Sequence, residues 1–280
     1  MRIIKKMKIA VALLIVFSIN LIMWNGAGAL AKQTFISVKV NGNCIKMDTQ
    51  PYVKNFRTYV PVRFVAEALG ANVEWVGEDK KVVLTQESKK LELFLGSNEL
   101  FVNGEKVLMD TYVETFNDRT MVPVRFVAEN LDCSVEWDEQ TYSAVINKND
   151  ADIPTAYIDT RPYTDEDVVW LARIVTVEAM DLSIDGKVAV ANVVLNRIKS
   201  PLFPDSVYDV IFDKEYTVQF PPAYKEGFKD IVPYGDSVIS AKMALEGINN
   251  VEECLFFNHV PFESREDKFY KRIDTEYFYY

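Results

Sequence analysis

The stretch VVWLARIVTVEAMDLSIDGKVAVANVVLNR, residues 168–197, decides the fold of the C-terminal half of this chain. Leu171, Ile174 and Val175 lie seven, four and three residues before Glu178, so a helix places all of them on the face that ends at this acid. A carboxylate that continues a buried apolar surface loses hydration, which raises its pKa and suits a general acid. The alternative is a glutamate at the helix end that turns to solvent or pairs with an arginine.

The residues around this stretch predict a mostly helical domain at 163–280. Thr164, followed three residues later by Asp167, is typical of a capping box and marks the start of the first helix. A second helix is expected from about residue 186 to residue 199. Asp236 is expected to cap a later helix, and the C-terminal tail alternates short apolar strands with turns.

The composition of the 280-residue chain describes a globular protein. Hydrophobic residues make up 49% and charged residues 26% of the sequence, which is ordinary for folded domains. The formal net charge is −10, and it becomes −14 without residues 1–31, which carry four basic residues and no acid. Such a chain has no electrostatic basis for binding nucleic acid, so no nucleic-acid partner is expected.

Cysteine and histidine are too few to predict a metal centre or a disulfide framework. Cys44, Cys133 and Cys254 form no CxxC pair, although two of them could still pair, and His259 is the only histidine. Catalytic zinc usually takes two or three histidine ligands, so we expect no metal and no cofactor. Cys254 and His259 are close in sequence, whereas thiol peptidases usually bring this pair together from distant segments, which argues against that class.

Residues 1–31 have the features of a secretory signal peptide. Basic residues as far as Lys8 precede the apolar run 9–24, and Ala29-Leu30-Ala31 fits a cleavage site. The alternative is an uncleaved anchor, but the run includes Asn20 and is short for a membrane span, which takes about 20 residues. Both interpretations predict that the rest of the chain is extracytoplasmic.

An internal repeat occupies residues 32–148, in two units at about 35–86 and 97–148. TYVPVRFVAEALGANVEW begins at Thr58 and returns as TMVPVRFVAENLDCSVEW at Thr120, an offset of 62 residues. Each unit also contains an Asn-Gly pair between apolar residues, which is typical of a tight β-hairpin. The pattern predicts a repeated α/β module of hairpin, short helix and strands.

This repeat resembles the copper amine oxidase N-terminal-like domain of many secreted bacterial proteins, and VPVRFVAE…VEW is its specific part. That domain is accessory in the parent enzymes, and one histidine cannot supply a multi-histidine copper site. Arg63 and Glu67 match Arg125 and Glu129 across the two units. We interpret both pairs as helix ion pairs four residues apart. The alternative is a surface that binds a wall polymer or an envelope protein.

Residues 149–162 are polar and contain two prolines, which predicts a linker before the second domain. That domain resembles the cell wall hydrolase family of spore cortex-lytic enzymes (the SleB/CwlJ type) over about residues 168–279. The resemblance rests on LARIVTVEAMDLSIDGKVAVANVVLNR, on Gln219-Phe220, on LFFN at residues 255–258 and on the closing Phe278-Tyr279.

The resemblance implies a compact, mainly helical fold related to lytic transglycosylases and goose-type lysozymes. It implies cleavage of the β-1,4 bond between N-acetylmuramic acid and N-acetylglucosamine in the glycan strands of peptidoglycan. Glu178 matches the catalytic glutamate of the family. By family position, Gln219, Asn258 and Tyr279 would hydrogen-bond the acetamido groups of the sugars, and Phe220 would stack on a sugar ring. Ordinary loop packing is the alternative for all four residues.

Two segments depart from the common family pattern. Met180-Asp181-Leu182 stands where many members have Arg-Gly-Glu, and Asp274-Thr275-Glu276 stands where many have Gly-Asn-His. These changes leave Glu178 in place, but they bear on substrate preference and leave room for a weakened enzyme.

Two chemical routes remain open. An ordinary glycosidase adds a second carboxylate as base or nucleophile, and four acids are candidates without a supporting motif, namely Asp181, Asp213, Glu215 and Glu276. A lytic transglycosylase needs only one acid, because the muramic C6 hydroxyl attacks C1 and forms a 1,6-anhydro product. Because Glu178 is the one acid at the end of the apolar stripe, the sequence favours the lytic transglycosylase route.

The sequence therefore predicts an α+β protein of two domains. We expect a secreted peptidoglycan-lytic enzyme, acting on spore cortex in sporulation or germination or on the vegetative wall. The alternative is a non-catalytic wall-binding or spore-envelope structural protein with a degenerate hydrolase domain, which the two departures from the family pattern motivate.

Overall fold

The computed structural model of this protein describes residues 35–149, 152–215 and 217–280. They form a strand-rich N-terminal part and a mainly helical C-terminal part, each with its own main hydrophobic cluster. The predicted signal peptide at residues 1–31 lies outside the described residues. Within the described ranges, no helix has the length and apolar character needed to cross a membrane.

Both repeat units contain a hairpin, a second strand pair, one short helix and a third strand pair. The first unit consists of β1 (Ser37–Val40), β2 (Asn43–Cys44), β3 (Tyr52–Lys54), β4 (Arg57–Pro61), α1 (Val62–Ala68), β5 (Asn72–Val76) and β6 (Lys81–Gln86). After β7 (Lys89–Phe94), the second unit consists of β8 (Glu99–Val102), β9 (Glu105–Leu108), β10 (Glu114–Phe116), β11 (Arg119–Pro123), α2 (Val124–Asn130), β12 (Ser134–Asp138) and β13 (Ser143–Asn147).

The predicted Asn-Gly hairpins are confirmed. Asn41 and Gly42 have φ angles of 47° and 82°, and Asn103 and Gly104 have φ angles of 52° and 86°. A two-residue type I′ turn needs positive φ at both central positions, which asparagine and glycine tolerate. These turns therefore fix the registers of the β1–β2 and β8–β9 hairpins.

The two repeat units exchange strands instead of folding one after the other. The β1–β2 hairpin joins the strands of the second unit in the order β12-β13-β1-β2, and β8–β9 extend the first unit as β5-β6-β7-β8-β9. In the remaining sheet, β10-β11-β4-β3, Val60 lies opposite Val122, its equivalent at the 62-residue offset. An approximate two-fold axis thus passes between these two valines, and both units contribute to one hydrophobic core.

The predicted linker at 149–162 packs against the repeats over part of its length. Ile153 is buried, Tyr157 packs on the core of the repeats, and Ile158 forms a bridge to Ile45. These apolar side chains hold residues 153–158 against the repeats.

In the described residues, the helical part contains four α-helices followed by a small sheet. The helices are α3 (Asp165–Glu178), α4 (Ile184–Lys199), α5 (Val207–Ile211) and α6 (Gly235–Leu245). The capping box of Thr164 and Asp167 is confirmed at the start of α3. Helix α4 begins two residues earlier than predicted, because the Ser183 hydroxyl accepts a hydrogen bond from the Gly186 amide. The expected cap at Asp236 is wrong, because α6 already begins at Gly235 and Asp236 pairs with Lys187 instead.

The C-terminal strands are β14 (Phe256–Asn258), β15 (Phe269–Ile273) and β16 (Glu276–Tyr279), in the order β14-β16-β15. Phe278 is fully buried in the helical core and stacks on Phe257, with 6.0 Å between ring centroids. The small sheet therefore closes one side of the helices, and the first residue of β16 is Glu276.

Lysine side chains join the helical part to the repeats. Lys242 of α6 is buried, and its ammonium donates to the carbonyl oxygens of Thr141 and Tyr142 at 2.6 and 3.3 Å. Lys39 of β1 forms an ion pair of 2.8 Å with Asp165 of α3. These contacts cross the boundary predicted between the two domains.

Candidate active site

Glu178 is the last residue of α3, at the end of the apolar stripe. Leu171, Ile174 and Val175 are fully buried, as the helical spacing predicted. Glu178 itself is half-buried, and its Oε1 atom is inaccessible to solvent and has no hydrogen-bond partner among the described residues. The carboxyl group therefore lies where the helical core meets solvent.

The surroundings of Glu178 favour its neutral form. Burial, followed by the negative charge of Glu276, raises the pKa of Glu178 to about 7, and the charges of Arg197 and Lys225 oppose this shift. The C-terminal end of a helix also carries partial negative charge, which acts in the same direction. Both the protonated and the ionised form of Glu178 are therefore populated near neutral pH. A carboxyl in this state can donate a proton and then accept one.

Arg197 of α4 is the cation beside this acid. It is buried, its Nε donates to the Leu255 carbonyl oxygen at 2.8 Å, and burial lowers its pKa to about 10. Its Nη1 is buried without a hydrogen-bond partner among the described residues. Arg197 and Glu178 influence each other's pKa, but no ion pair within 4 Å joins them in the described part of the chain.

Glu276 is the second carboxylate of the site. It is 9% exposed, and burial raises its pKa, while the Thr275 hydroxyl, which donates to it at 3.3 Å, opposes the shift. Of the four acids considered as partners for Glu178, Glu276 is the one whose charge acts on the Glu178 carboxyl. A half-buried acid and a buried acid thus interact through their charges, which raises the pKa of Glu178.

The two segments that depart from the family pattern are both bound to the N-terminal end of α4. The Asp274 carboxylate accepts hydrogen bonds from the backbone N–H and the hydroxyl of Ser183, at 2.9 and 2.7 Å. On the other side, buried Lys187 donates to the carbonyl oxygens of Met180 and Leu182, at 3.0 and 2.7 Å. These bonds tie the turn before Glu276 and the loop after Glu178 to the N-terminus of α4.

Of the predicted Gln219-Phe220 pair, only Gln219 is accessible. Its side chain is half-buried and donates to the Thr217 carbonyl oxygen at 3.4 Å. Phe220 is 1% exposed, and the Arg197 guanidinium lies 5.0 Å from its ring centroid. The prediction that Phe220 stacks on a sugar does not fit this placement, because its ring is covered by protein and packs against Arg197.

Asn258 and Tyr279 lie on the other face of the small sheet from Glu276. Alternate residues of a strand face opposite sides, so Tyr277 and Tyr279 point away from the face of Glu276, and Asn258 pairs with Tyr277. The Asn258 amide donates to the Val260 carbonyl oxygen at 2.9 Å. Tyr279 is 2% exposed, and its hydroxyl accepts from the Phe262 amide at 3.0 Å. The structure therefore does not bring these two predicted sugar ligands to the Glu178 carboxyl.

The sequence held one unused signal for this site. Val190, Val193 and Val194 lie seven, four and three residues before Arg197, and all three are fully buried. This is the spacing that drew attention to Glu178, so Arg197 could have been singled out in the same way. Glu276 carries no comparable periodic signal.

The described residues contain no group of three or more histidine, cysteine or acidic side chains arranged to hold a metal. Cys44, Cys133 and Cys254 are all free thiols, and burial raises the pKa of Cys254 to about 12. A thiol with that pKa is a poor nucleophile at neutral pH, which disfavours a cysteine-dependent reaction.

Two family models match this chain. Residues 39–146 match the copper amine oxidase N-terminal domain, and residues 182–279 match the Cell Wall Hydrolase family. Both resemblances seen in the sequence are thereby confirmed. The second match begins four residues after Glu178, so it includes Arg197 and Glu276 but not the acid itself.

Curated relatives are similar to one short stretch. The spore cortex-lytic enzyme of Halalkalibacterium halodurans is 49% identical over 51 residues, which are 18% of this chain and 16% of that protein. The spore cortex-lytic enzyme of Bacillus subtilis is 47% identical over 51 residues, 18% of this chain and 17% of that protein. The matched stretch thus spans about a sixth of the length of these relatives.

Solved structures of related catalytic domains are also similar in part. The catalytic domain of the germination-specific lytic transglycosylase SleB from Bacillus anthracis has 24% identity and a TM-score of 0.39, covering 44% of this chain and all of that one. The catalytic domain of SleB from Bacillus cereus has 24% identity and a TM-score of 0.38, covering 42% of this chain and 92% of that one.

Proposed function

We propose that this chain, which joins a copper amine oxidase N-terminal domain to a Cell Wall Hydrolase domain, is an extracytoplasmic enzyme that cleaves peptidoglycan glycan strands. The observation that carries the proposal is Glu178, a half-buried acid with a pKa of about 7 beside a domain match to cell wall hydrolases. The scissile bond is the β-1,4 bond between N-acetylmuramic acid and N-acetylglucosamine. The spore cortex-lytic relatives favour cortex as the substrate.

Glu178 acts first as a general acid. The neutral carboxyl donates its proton to the glycosidic oxygen as the C1–O bond breaks and an oxocarbenium-like centre develops. The resulting carboxylate then accepts the proton of the muramic C6 hydroxyl, whose oxygen attacks C1. A 1,6-anhydro product forms, Glu178 is protonated again, and no water is consumed. The lytic transglycosylase-like fold of residues 163–280 is part of this proposal.

Arg197 and Glu276 adjust the proton affinity of Glu178 from opposite directions. The arginine favours the carboxylate that exists between the two steps, while the second acid favours the neutral form needed at the start. Gln219 is the remaining candidate for binding an acetamido group, since its side chain is partly accessible.

The identity of the product tests the route. Purified cortex and purified vegetative wall are digested with the wild-type protein and with Glu178→Gln, and the soluble muropeptides are analysed by mass spectrometry. Anhydro-muropeptides from the wild type, and none from Glu178→Gln, support the proposal. Reducing-end products would instead indicate hydrolysis, with Glu276 as the base that activates water.

The second candidate function is a non-catalytic wall-binding protein. The observation that favours it is that both departures from the family pattern are bound to the N-terminal end of α4. Asp274 is bound through Ser183, and the segment Met180-Asp181-Leu182 is bound through Lys187. If neither wall preparation releases fragments with the wild-type protein while the protein still sediments with the wall, this second function replaces the first.

A further inference from the structure

The repeat part carries an open groove that the proposed reaction does not use. The groove has a volume of about 620 Å³, which is within the usual range for small-ligand sites. It lies between α1 with the strands β5 and β6 and the β10–β11 hairpin of the second unit. Its lining includes Trp75, Phe64 and Arg63 from the first unit and Thr115, Arg119 and Thr120 from the second.

The two-fold repeat provides an internal comparison for Trp75. Its equivalent, Trp137, packs edge-on against Tyr142, with 4.8 Å between ring centroids, and the Tyr142 carbonyl oxygen accepts from Lys242 of the helical part. Trp75 is 44% exposed at the groove. One tryptophan of the pair thus serves internal packing, and the other presents its indole ring to solvent.

The arginines of the repeat show the same asymmetry. Arg125 pairs with Glu129 at 3.3 Å, as the spacing predicted. In the first unit, Glu67 interacts with the Tyr157 hydroxyl instead, and that predicted pair does not form. Arg63 is exposed and makes no ion pair among the described residues. An uncompensated cation therefore lies beside an exposed indole.

The other charged residues of the groove are Asp48, Asp118 and Arg119. Arg119 pairs with Asp48 and also interacts with the charge of Asp118, so Arg63 is the basic side chain of this lining without an ion pair among the described residues. Arg119 donates to Asp48 through its Nε at 2.9 Å, and threonine hydroxyls supply neutral hydrogen-bonding groups. A chain with a formal charge of −10 repels polyanions at long range, so the occupant carries few negative charges. An indole face suits the apolar face of a sugar ring, and a free guanidinium suits a single carboxylate.

We propose that this groove binds a glycan strand at a peptide-free sugar whose carboxylate substituent is unmodified, with a sugar ring on Trp75 and the carboxylate on Arg63. The inference rests on the proposed function, because it assigns the same polymer to a second site. Its consequence is that the repeat part holds the strand that the helical part cleaves.

Protection of Trp75 from oxidation tests this inference at the groove itself. The full-length Glu178→Gln protein is treated with N-bromosuccinimide, and oxidation of the peptide containing Trp75 is measured by mass spectrometry. The probes are a peptide-free tetrasaccharide of alternating N-acetylglucosamine and N-acetylmuramic acid, and chitotetraose, which lacks carboxylates. We expect both to protect Trp75, and the first to do so at a concentration roughly ten-fold lower, because only its carboxylates can accept a charge-assisted hydrogen bond from Arg63.

Arg63→Ala and Arg125→Ala are matched variants at equivalent positions. Arg63→Ala should raise the half-protecting concentration of the muramic tetrasaccharide roughly ten-fold and leave that of chitotetraose unchanged. Arg125→Ala should change neither. Absence of protection by either glycan, or equal effects of the two arginine variants, overturns the inference. Because protection of Trp75 is measured in the Glu178→Gln protein and does not require cleavage, this outcome is independent of whether the wild-type protein is an enzyme.

Discussion

Replacing Glu276 by glutamine should move the pH dependence of wall cleavage toward lower pH. The charge of Glu276 raises the pKa of Glu178, and only the protonated form of Glu178 can donate to the leaving oxygen. Glutamine has nearly the same shape but no charge, so the pKa of Glu178 falls. The alkaline limb of the activity profile falls with it.

The change in the midpoint of the pH profile is limited by two pKa values of Glu178, its value in this site and the ordinary value of a glutamic acid. With a pKa of about 7, Glu178 is about 90% protonated at pH 6, against about 3% for an ordinary glutamic acid with a pKa of 4.5. The wild-type activity should therefore fall with a midpoint near pH 7. Burial is the larger cause of the shift and persists in the variant, so the variant midpoint lies below 7 and above 4.5.

The assay is the loss of turbidity of a purified cortex suspension between pH 4 and pH 9 at constant ionic strength. Glu253→Gln is the matched control, because it removes the same charge at an exposed position that does not act on Glu178. An unchanged or upward-shifted limb for Glu276→Gln would refute the reasoning. A shift of equal size in the control would show that net charge, not the local carboxylate, sets the profile.

Three further changes have directions fixed by the structure. Because the pKa of Glu178 is raised in the folded state, the folded protein loses stability as pH rises from 4.5 to about 7. At pH 8 the Glu178→Gln protein should therefore have a higher melting temperature than the wild type, with a free energy of unfolding larger by roughly 3 kcal/mol at most. At pH 4 the two proteins should not differ in this way. Burial lowers the pKa of Lys242 to about 7, so the unfolded chain binds more protons than the folded protein between pH 7 and 10.5. Lys242 therefore adds to the stability of the wild type as pH rises through this interval, and the melting temperature of Lys242→Met should lack this rise. Asp274→Ala should lower the melting temperature by a few degrees, through loss of about 1 kcal/mol, whereas Asp274→Asn should retain most of that stability.

The parts of the site that the sequence could predict are those set by local spacing. The apolar stripe ending at Glu178 follows from the period of one helix, and the capping box of Thr164 follows from two residues three apart. Glu276 could not be selected from four candidate acids, because its place beside Glu178 depends on the pairing of β14, β16 and β15 against the helices. The burial of Phe220 could not be predicted for the same reason, since burial by distant segments is not encoded in the neighbouring residues of the sequence.

The exchange of strands between the repeats was hidden by the repetition itself. Both units have the same strand pattern, so the sequence is equally consistent with each hairpin joining its own unit or the other one. The contacts that decide between these arrangements join distant residues, such as Val40 with Ile146 and Arg119 with Asp48. The related pair of Arg57 and Asp110 repeats the second contact across the approximate two-fold axis.

Exchange of strands also explains why two similar units have different surfaces. The β1–β2 hairpin lies next to β13. The turn between β12 and β13 contacts the helical part, where Lys242 donates hydrogen bonds to the carbonyl oxygens of Thr141 and Tyr142. Tyr142 then packs against Trp137, whereas Trp75 stays exposed among the residues that the structure describes. Because the helical part packs on one side of the repeat module, Trp137 contributes to internal packing and Trp75 remains exposed. An exposed indole in a stable fold is retained at a cost in apolar hydration, which a bound sugar ring would remove.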